Sequence, residues 1–399
     1  MSLFSEFDPV SAKAWKQKIQ FDLQGADYND TLLFQTLEGI TIKPFYTEED
    51  LSKSSQEFTM PGNCLVSERI TVSDAISGNR AINNALARGV RSVYLWIENE
   101  TIAPIKLFEN VVTEVSYYVR CNFLSNSYLN KLQSYAVQNN LILYNLNDSI
   151  GKLVQSGNWF VNQKKDFETL QRFSIDKGFQ NALSIDTTNY QNAGANAVQQ
   201  LAYALAHANE YVRHLHAVKD LKHLSNKEII FEVAIGGHYL MEIAKVRALR
   251  LVWQRLAAKY DISNSCHIIA TPSYRNKTVL ASHTNSIRTG MECMAAMLGG
   301  ANSVYNLPSD VLHKNANDFS TRIATNQLLV LQQETQLLKH TDPIKGSYMI
   351  ESLTTQLVDK ALTVFKTLQK GGGFITQLQK GSIQKKIKSS SEIEQNYLI

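Results

Sequence analysis

A chain of 399 residues, 44% hydrophobic and 19% charged, has ordinary globular composition and enough length for a large core, arranged as two to three domains or as one barrel with extensions. The formal net charge of +4 is small and Lys and Arg are scattered, which argues against a nucleic-acid face, and the basic run Lys380 to Lys388 reads as a solvated tail. Cys64, Cys121, Cys266 and Cys293 make no CxxC pair, and the early acids are followed by no signal core or bilayer-length apolar run, so reduced core thiols in a soluble, cytoplasmic protein are expected.

In chain order, residues 1–60 do not read as a compact unit. Trp15, Ile19 and Leu23 make one amphipathic helical stripe, Gly25 breaks it, and Thr36 to Tyr46 is an extended aromatic segment. It has too little apolar surface to fold alone, so it must lie on its own barrel or on a partner. From about Cys64 the pattern becomes regular: Cys64–Ile70 reads as a strand, Ala75–Ala87 as a helix closed by Gly89, and Arg91–Ile97 as a buried strand. Strand-like runs follow at Val115–Cys121, Leu141–Asn145, Ala182–Thr187, Ile229–Ile235, Cys266–Thr271 and Asn302–Asn306. Helical stripes between them include Asp166–Lys177, Tyr239–Lys259, Ile287–Leu298 and Phe319–Gln333. Eight alternating units favour a closed (β/α)8 TIM barrel over an open doubly wound α/β sheet. Leu353–Gln369 is a last helical stretch, stopped by Gly371-Gly372-Gly373, and Lys385 to Gln395 reads as a polar tail. The expected organisation is an arm over 1–60, the barrel over 61–345 and a helical extension over 346–399.

The stretch from Ala182 to Arg213 holds a strand, the turn Gln191-Asn192-Ala193-Gly194, and a helix whose Ala197, Leu201, Ala204, Leu205 and Ala208 mark a closely packed face. Asn189 or Asn192 is a candidate cap, and Gly194 sits where the backbone must turn. Such strand-to-helix junctions lie where barrels handle ligands. Gly236-Gly237-His238 has the small-residue character of a phosphate-holding turn, but no P-loop or dinucleotide fingerprint surrounds it, and a plain tight turn is the better reading. His207, His214, His216 and His223 lack metal-ligand spacing and read as helix-end and surface histidines. Glu242 and Lys245, three apart, suit a helix-face ion pair, while Thr271 to Lys277 leaves a strand end with two cations. No serine sits in a nucleophile elbow.

Longer words in the sequence carry a resemblance. Ile287 to Ser303 (IRTGMECMAAMLGGANS), Phe319 to Ala324 (FSTRIA), Asp342-Pro343 with Gly346-Ser347-Tyr348, Glu242 to Ala248 (EIAKVRA) and Leu37-Glu38-Gly39-Ile40 with Lys43-Pro44 resemble the barrel of the methylmalonyl-CoA mutase family. In that family the catalytic subunit adds a cobalamin domain with a DxHxxG cobalt-ligand motif. This sequence has no DxHxxG and little chain after the barrel, so the resemblance implies that this chain binds no cofactor and that adenosylcobalamin is carried by a large partner subunit. The Tyr-His pair of catalytic members falls on Thr188 and Asn189, and an amide cannot supply the proton that an imidazole does. Their Gln-Thr-Ser-Gly segment falls on Thr271-Pro272-Ser273-Tyr274, and their Arg/Pro/Tyr-rich loop has no counterpart around Pro61 to Cys64.

The chain thus resembles the small, non-catalytic type of subunit in a two-chain mutase that interconverts succinyl-CoA and (R)-methylmalonyl-CoA. The resemblance implies an N-terminal arm that wraps the large subunit, with Trp15, Phe34, Phe45 and Tyr46 as contact residues. One rival is an acyl-CoA-binding regulatory barrel in which Arg275, Lys277 or Arg288 holds the nucleotide phosphates. Another is a self-sufficient enzyme using Asp186 and His267. A bulky filling of the barrel axis favours the structural partner, and an open channel lined by Ser, Thr and Asn favours acyl-CoA.

Overall fold

The structure is a computed structural model and describes residues 10–51, 60–175, 178–221, 224–312, 317–337 and 339–397. A short antiparallel hairpin, β1 (Phe34–Gln35) and β2 (Thr41–Ile42), precedes eight parallel strands: β3 (Leu65–Val72), β4 (Ser92–Ile97), β5 (Ser116–Cys121), β6 (Ile142–Asn145), β7 (Asn181–Asp186), β8 (Glu228–Ile235), β9 (Cys266–Pro272) and β10 (Ser303–Tyr305). Their order, β6-β5-β4-β3-β10-β9-β8-β7, is that of a sheet rolled into a (β/α)8 barrel. The expected strands differ from these by one or two residues at their ends.

One backbone bond and the Asn181 side chain close the seam between β6 and β7. Gln180 N donates to Leu143 O at 2.9 Å, and Asn181 bridges Asn145 twice, accepting from its N–H at 2.9 Å and donating to its carbonyl at 2.8 Å. An asparagine amide here replaces two ladder bonds that the strands themselves do not make.

The helix Ala197–Ala217 is buried nearly all round, because Tyr348–Lys370 lies across its outer face and across that of Tyr239–Tyr260. A helix covered on both sides needs apolar and small residues around its whole circumference. Its cap is Asn196, in a capping box with Gln199, and not Asn189 or Asn192. Those two lie in a further short helix, Thr188–Ala193, which Gly194 ends at φ +99°.

The C-terminal stretch is not a solvated tail. Ser382–Tyr397 is a helix with Ile383, Ile387 and Ser390 buried, and Lys385, Lys386 and Lys388 face outward. A four-residue spacing of two isoleucines in a lysine-rich segment was its helical signal. The arm divides. Its hairpin sits on the barrel, with Ile40 fully buried, Asn196 donating to Leu37 O at 3.3 Å and Ala197 N donating to Glu38 at 3.1 Å. The preceding helix Ala12–Asp22 buries no residue and leaves Trp15 half exposed, edge-on to Phe45.

Candidate functional site

Alternation along each strand turns one side chain in two toward the barrel axis. At the floor, the Ser67 hydroxyl is hydrogen-bonded to those of Ser92 at 2.5 Å and Ser303 at 2.8 Å. The next layer is aromatic: the Tyr118 and Tyr144 rings pack at a tilt of 31° with centroids 4.9 Å apart, those of Tyr94 and Tyr305 at a tilt of 48° with centroids 5.0 Å apart, and Ile230, Ile269 and His267 fill between them. The Tyr118 hydroxyl and His267 Nε2 are hydrogen-bonded at 2.8 Å, and burial pushes the imidazole down to about 3, so it is neutral at physiological pH.

Above this layer Arg120 donates to Asp186 at 2.5 Å and to Glu232, and Tyr94 O–H donates to Glu232 Oε2 at 2.8 Å. Burial raises the Glu232 carboxyl to about 7 against the pull of Arg120, and Asp186 pushes the same way as burial. Trp96 closes the mouth, its ring faced by the guanidinium groups of Arg69 at 5.0 Å and Arg120 at 5.7 Å. The cleft left between Trp96, Arg120 and Asp148 holds about 30 Å³, room for roughly one or two waters.

A second buried network backs this one. The Asp148 carboxylate accepts from Tyr211 O–H at 2.6 Å, Gly151 N at 2.8 Å and Asp186 N at 2.7 Å, and pairs with His207 Nε2 at 3.0 Å; His207 Nδ1 is hydrogen-bonded to Tyr190 at 3.0 Å. Burial works to raise Asp148, but His207 and Tyr211 hold it below the usual carboxylate value. His207 is therefore a core residue and not a surface one. His214 packs edge-on against Phe167, His216 is exposed beside Tyr260, and His223 lies outside the described residues. Among the described residues, no three His, Cys, Asp or Glu are grouped to hold a metal ion.

Thr188 donates through both its N–H and its hydroxyl to Asp186 Oδ1, at 3.0 and 2.6 Å, and Asn189 is half-buried on the same short helix. Thr271 is buried at the end of β9, and Tyr274 accepts from Arg69 at 3.3 Å. Arg275 is held by Glu394 at 2.6 Å and Ser391 at 2.7 Å of the last helix. Lys277 donates to Glu292 at 2.6 Å and to Asn276, also at 2.6 Å; burial lowers it and Glu292 restores part of the shift. Arg288 donates to Thr284 and Asn285, both at 2.9 Å. Asp186 and His267 do not meet, since β8 pairs Glu232 with Asp186 and Ile230 with His267, one layer lower.

A cavity of about 380 Å³ lies beside the mouth. Hairpin residues Phe34 to Glu38, the Gly236-Gly237-His238 turn, Gln191 to Gln200, and Ser390 with Glu394 enclose it. Of its charged lining residues, Glu394 is paired with Arg275, which also lines the cavity, and Glu242 with Lys245. What the sequence did not disclose was the Arg120, Asp186 and Glu232 cluster and the four-tyrosine layer. For Tyr94, Tyr118 and Arg120 the signal was the two-residue step in Ser92-Val93-Tyr94-Leu95-Trp96 and Ser116-Tyr117-Tyr118-Val119-Arg120.

The sequence model of the methylmalonyl-CoA mutase family matches residues 129–398. The chain is also 30% identical to the methylmalonyl-CoA mutase small subunit of Porphyromonas gingivalis, over 98% of this chain and 68% of that protein. It belongs to the methylmalonyl-CoA mutase family. The small subunit of Propionibacterium freudenreichii subsp. shermanii is 27% identical over 94% of this chain and 64% of its own, so the chain spans about two thirds of such subunits. The large subunit of Porphyromonas gingivalis is 36% identical over 50% of this chain and 29% of its own.

The stretches that resemble this mutase family hold its barrel together. Glu242 and Lys245 form a buried pair at 2.5 Å, and Lys245 also donates to Gln200 and to Ala234 O. Arg247 clamps Asp342, at 2.9 and 3.0 Å, and Glu351 at 3.0 Å, tying Tyr239–Tyr260 to the helix outside it. Gly300 turns at φ +90° and its carbonyl accepts from Arg250 at 2.5 Å, while Asn302 accepts from Arg250 at 2.6 Å and from Ile268 N at 2.8 Å, which seats β10 against β9.

Proposed function

We propose that this chain is the non-catalytic subunit of a two-chain methylmalonyl-CoA mutase, and that the interconversion of succinyl-CoA and (R)-methylmalonyl-CoA takes place in the large subunit. The filled axis carries this reading. Tyr94, Tyr118, Tyr144 and Tyr305 occupy the middle of the barrel and Trp96 its mouth, so an extended acyl chain has no path along it. Two of the three cations proposed for nucleotide phosphates support the same reading, because Arg275 and Lys277 are committed to Glu394 and Glu292, while Arg288 donates to Thr284 and Asn285.

The residues do not fit the substrate face of an adenosylcobalamin site. Thr188 and Asn189 bring no imidazole, and the hydroxyl of Thr188 is directed at Asp186. The chain's role is instead to present a rigid barrel and an arm. Residues 1–60 act as the arm, 61–345 as the barrel and 346–399 as a helical brace, with Trp15, Phe34, Phe45 and Tyr46 contacting the partner. Trp15 and Phe34 are about half exposed here and gain most from being covered. Among the described residues no helix is long and apolar enough to cross a membrane, in keeping with a cytoplasmic setting.

Calorimetric titration of the full chain with succinyl-CoA and separately with adenosylcobalamin, followed by gel filtration with a cognate large subunit, tests the proposal. It predicts no heat with either ligand and a one-to-one complex. Tight acyl-CoA binding by the chain alone overturns it in favour of a regulatory acyl-CoA barrel.

A further inference from the structure

The cavity of about 380 Å³ beside the barrel mouth falls in the size range of small-molecule sites. Its walls are mainly apolar, with Phe34, Leu37, Ala195, Ala197 and Met241 among them. The charges around it already have partners. Arg275 is held by Glu394 and Ser391, and Glu38 accepts from Ala197 N at 3.1 Å, at a helix N-terminus that Asn196 caps. Two polar atoms of the lining are left over. Glu242 is 5% exposed; Lys245 Nζ lies against its Oε2 at 2.5 Å without making a hydrogen bond, and Oε1 accepts from no described residue. Gln191 supplies the second atom, and a relay of hydrogen bonds fixes its orientation. Lys245 donates to Gln200 Oε1 at 2.8 Å, and Gln200 Nε2 donates to Ala195 O at 2.7 Å and to Gln191 Oε1. Gln191 Nε2 is thereby left as a donor with no described acceptor. The two atoms converge on Gly236, where a Cβ would lie 2.7 Å from Gln191 Nε2 and 3.3 Å from Glu242 Oε1. The missing side chain keeps that corner of the cavity open.

We propose that this cavity binds a small neutral amphiphile: an apolar body carrying a carboxamide or hydroxyl head that accepts from Gln191 Nε2 and donates to Glu242 Oε1. Only a head that both donates and accepts satisfies the two atoms, and a buried polar group left unpaired is costly. Charge of either sign is disfavoured. A carboxylate head meets the Glu242 carboxylate, and an ammonium head meets Lys245 and the amide hydrogens of Gln191. The body of the ligand packs on Phe34, Leu37 and Met241, which supply the apolar contact. Its way in runs beneath the helix Ser382–Tyr397. A second cleft of about 230 Å³, bounded by Lys386, Ser389 and Ile393 of that helix, shares Leu37, Asn196 and Ser390 with the cavity. The ligand therefore enters between hairpin and helix and never passes the filled barrel axis, so the inference stands apart from the two-chain reading above.

The test titrates the full chain, labelled at its methionine methyl groups, with phenylbutanamide, phenylbutanol, phenylbutyrate and phenylbutylamine, four heads on one body. Met241, 1% exposed and in the cavity wall, reports occupancy through its methyl resonance. The amide and the alcohol shift that resonance with a sub-millimolar Kd, and the carboxylate and the amine bind at least about tenfold more weakly. G236A sets a methyl group between Gln191 and Glu242, displaces only the ends of those side chains, and weakens amide binding by about tenfold or more. Its melting temperature establishes that it folds. Q191A removes the donor without filling the corner and narrows the preference for the neutral heads. A Met241 resonance that none of the four probes moves overturns the inference. Equal affinity for all four heads in the wild-type chain also overturns it, because the cavity is then a plain apolar hole.

Discussion

Replacing Glu232 with glutamine isolates the electrostatics of the barrel centre. With its carbonyl placed at the Oε1 position the glutamine still accepts from Arg120 while its NH2 donates to the Tyr94 hydroxyl, reversing that one bond, so the shape of the cluster survives and the charge is lost. Burial lifts the Glu232 carboxyl from its ordinary 4.5 to about 7. A group whose folded value lies above its unfolded one is deprotonated first in the unfolded chain, so stability falls as pH rises between the two values and levels off above the higher one. At about 1.4 kcal/mol per pH unit, the full rise is worth about 3 kcal/mol. Urea unfolding of both proteins from pH 5 to 8.5 measures it. The expected result is a difference curve in which the glutamine variant gains on the wild type up to about pH 7, by as much as about 3 kcal/mol, and then runs flat. A difference that does not change with pH, or a variant that grows relatively less stable above pH 7, refutes the reasoning: it means that Arg120 keeps the carboxylate ionised throughout.

Removing the cation has the opposite effect, and R120M strands Asp186 and Glu232 together in the barrel, with an expected loss of about 3–5 kcal/mol in urea unfolding at pH 8 that shrinks as the pH is lowered and Glu232 takes up its proton. Y118A empties part of the aromatic layer and costs about 3–5 kcal/mol by thermal unfolding. For G194A two effects add, a φ of +99° and a Cβ placed 2.6 Å from Ser391 and 2.9 Å from the Arg275 guanidinium. Its unfolding free energy drops by about 2 kcal/mol, and limited proteolysis cuts the last helix faster than in wild type.

Much of the architecture was legible in the chain. Fully covered parallel strands must be nearly continuous apolar runs, and Ser92–Ile97 or Glu228–Ile235 reads as nothing else. The helix Ala75–Ala87 was visible for a similar reason, its stripe ending at Gly89 with φ +99°. The tail was misread because four lysines dominate Lys380 to Lys388, and only Ile383 and Ile387 face the protein. The cap of Ala197–Ala217 was misplaced because a short helix intervenes, and Asn196, beside Ala197, performs the capping.

The sequence by itself determined the eight β/α units and the family. These are local or linear properties, written in periodicity and in words of consecutive residues. Whether the barrel axis was open could only be decided by tertiary structure. Tyr94, Tyr118, Tyr144 and Tyr305 come from four strands spread over 212 residues, and Arg120 meets Asp186 and Glu232 across 66 and 112 positions. A strand's pattern states which side chains turn inward, but their convergence depends on register and closure, which the seam at Asn181 sets without any periodic signal.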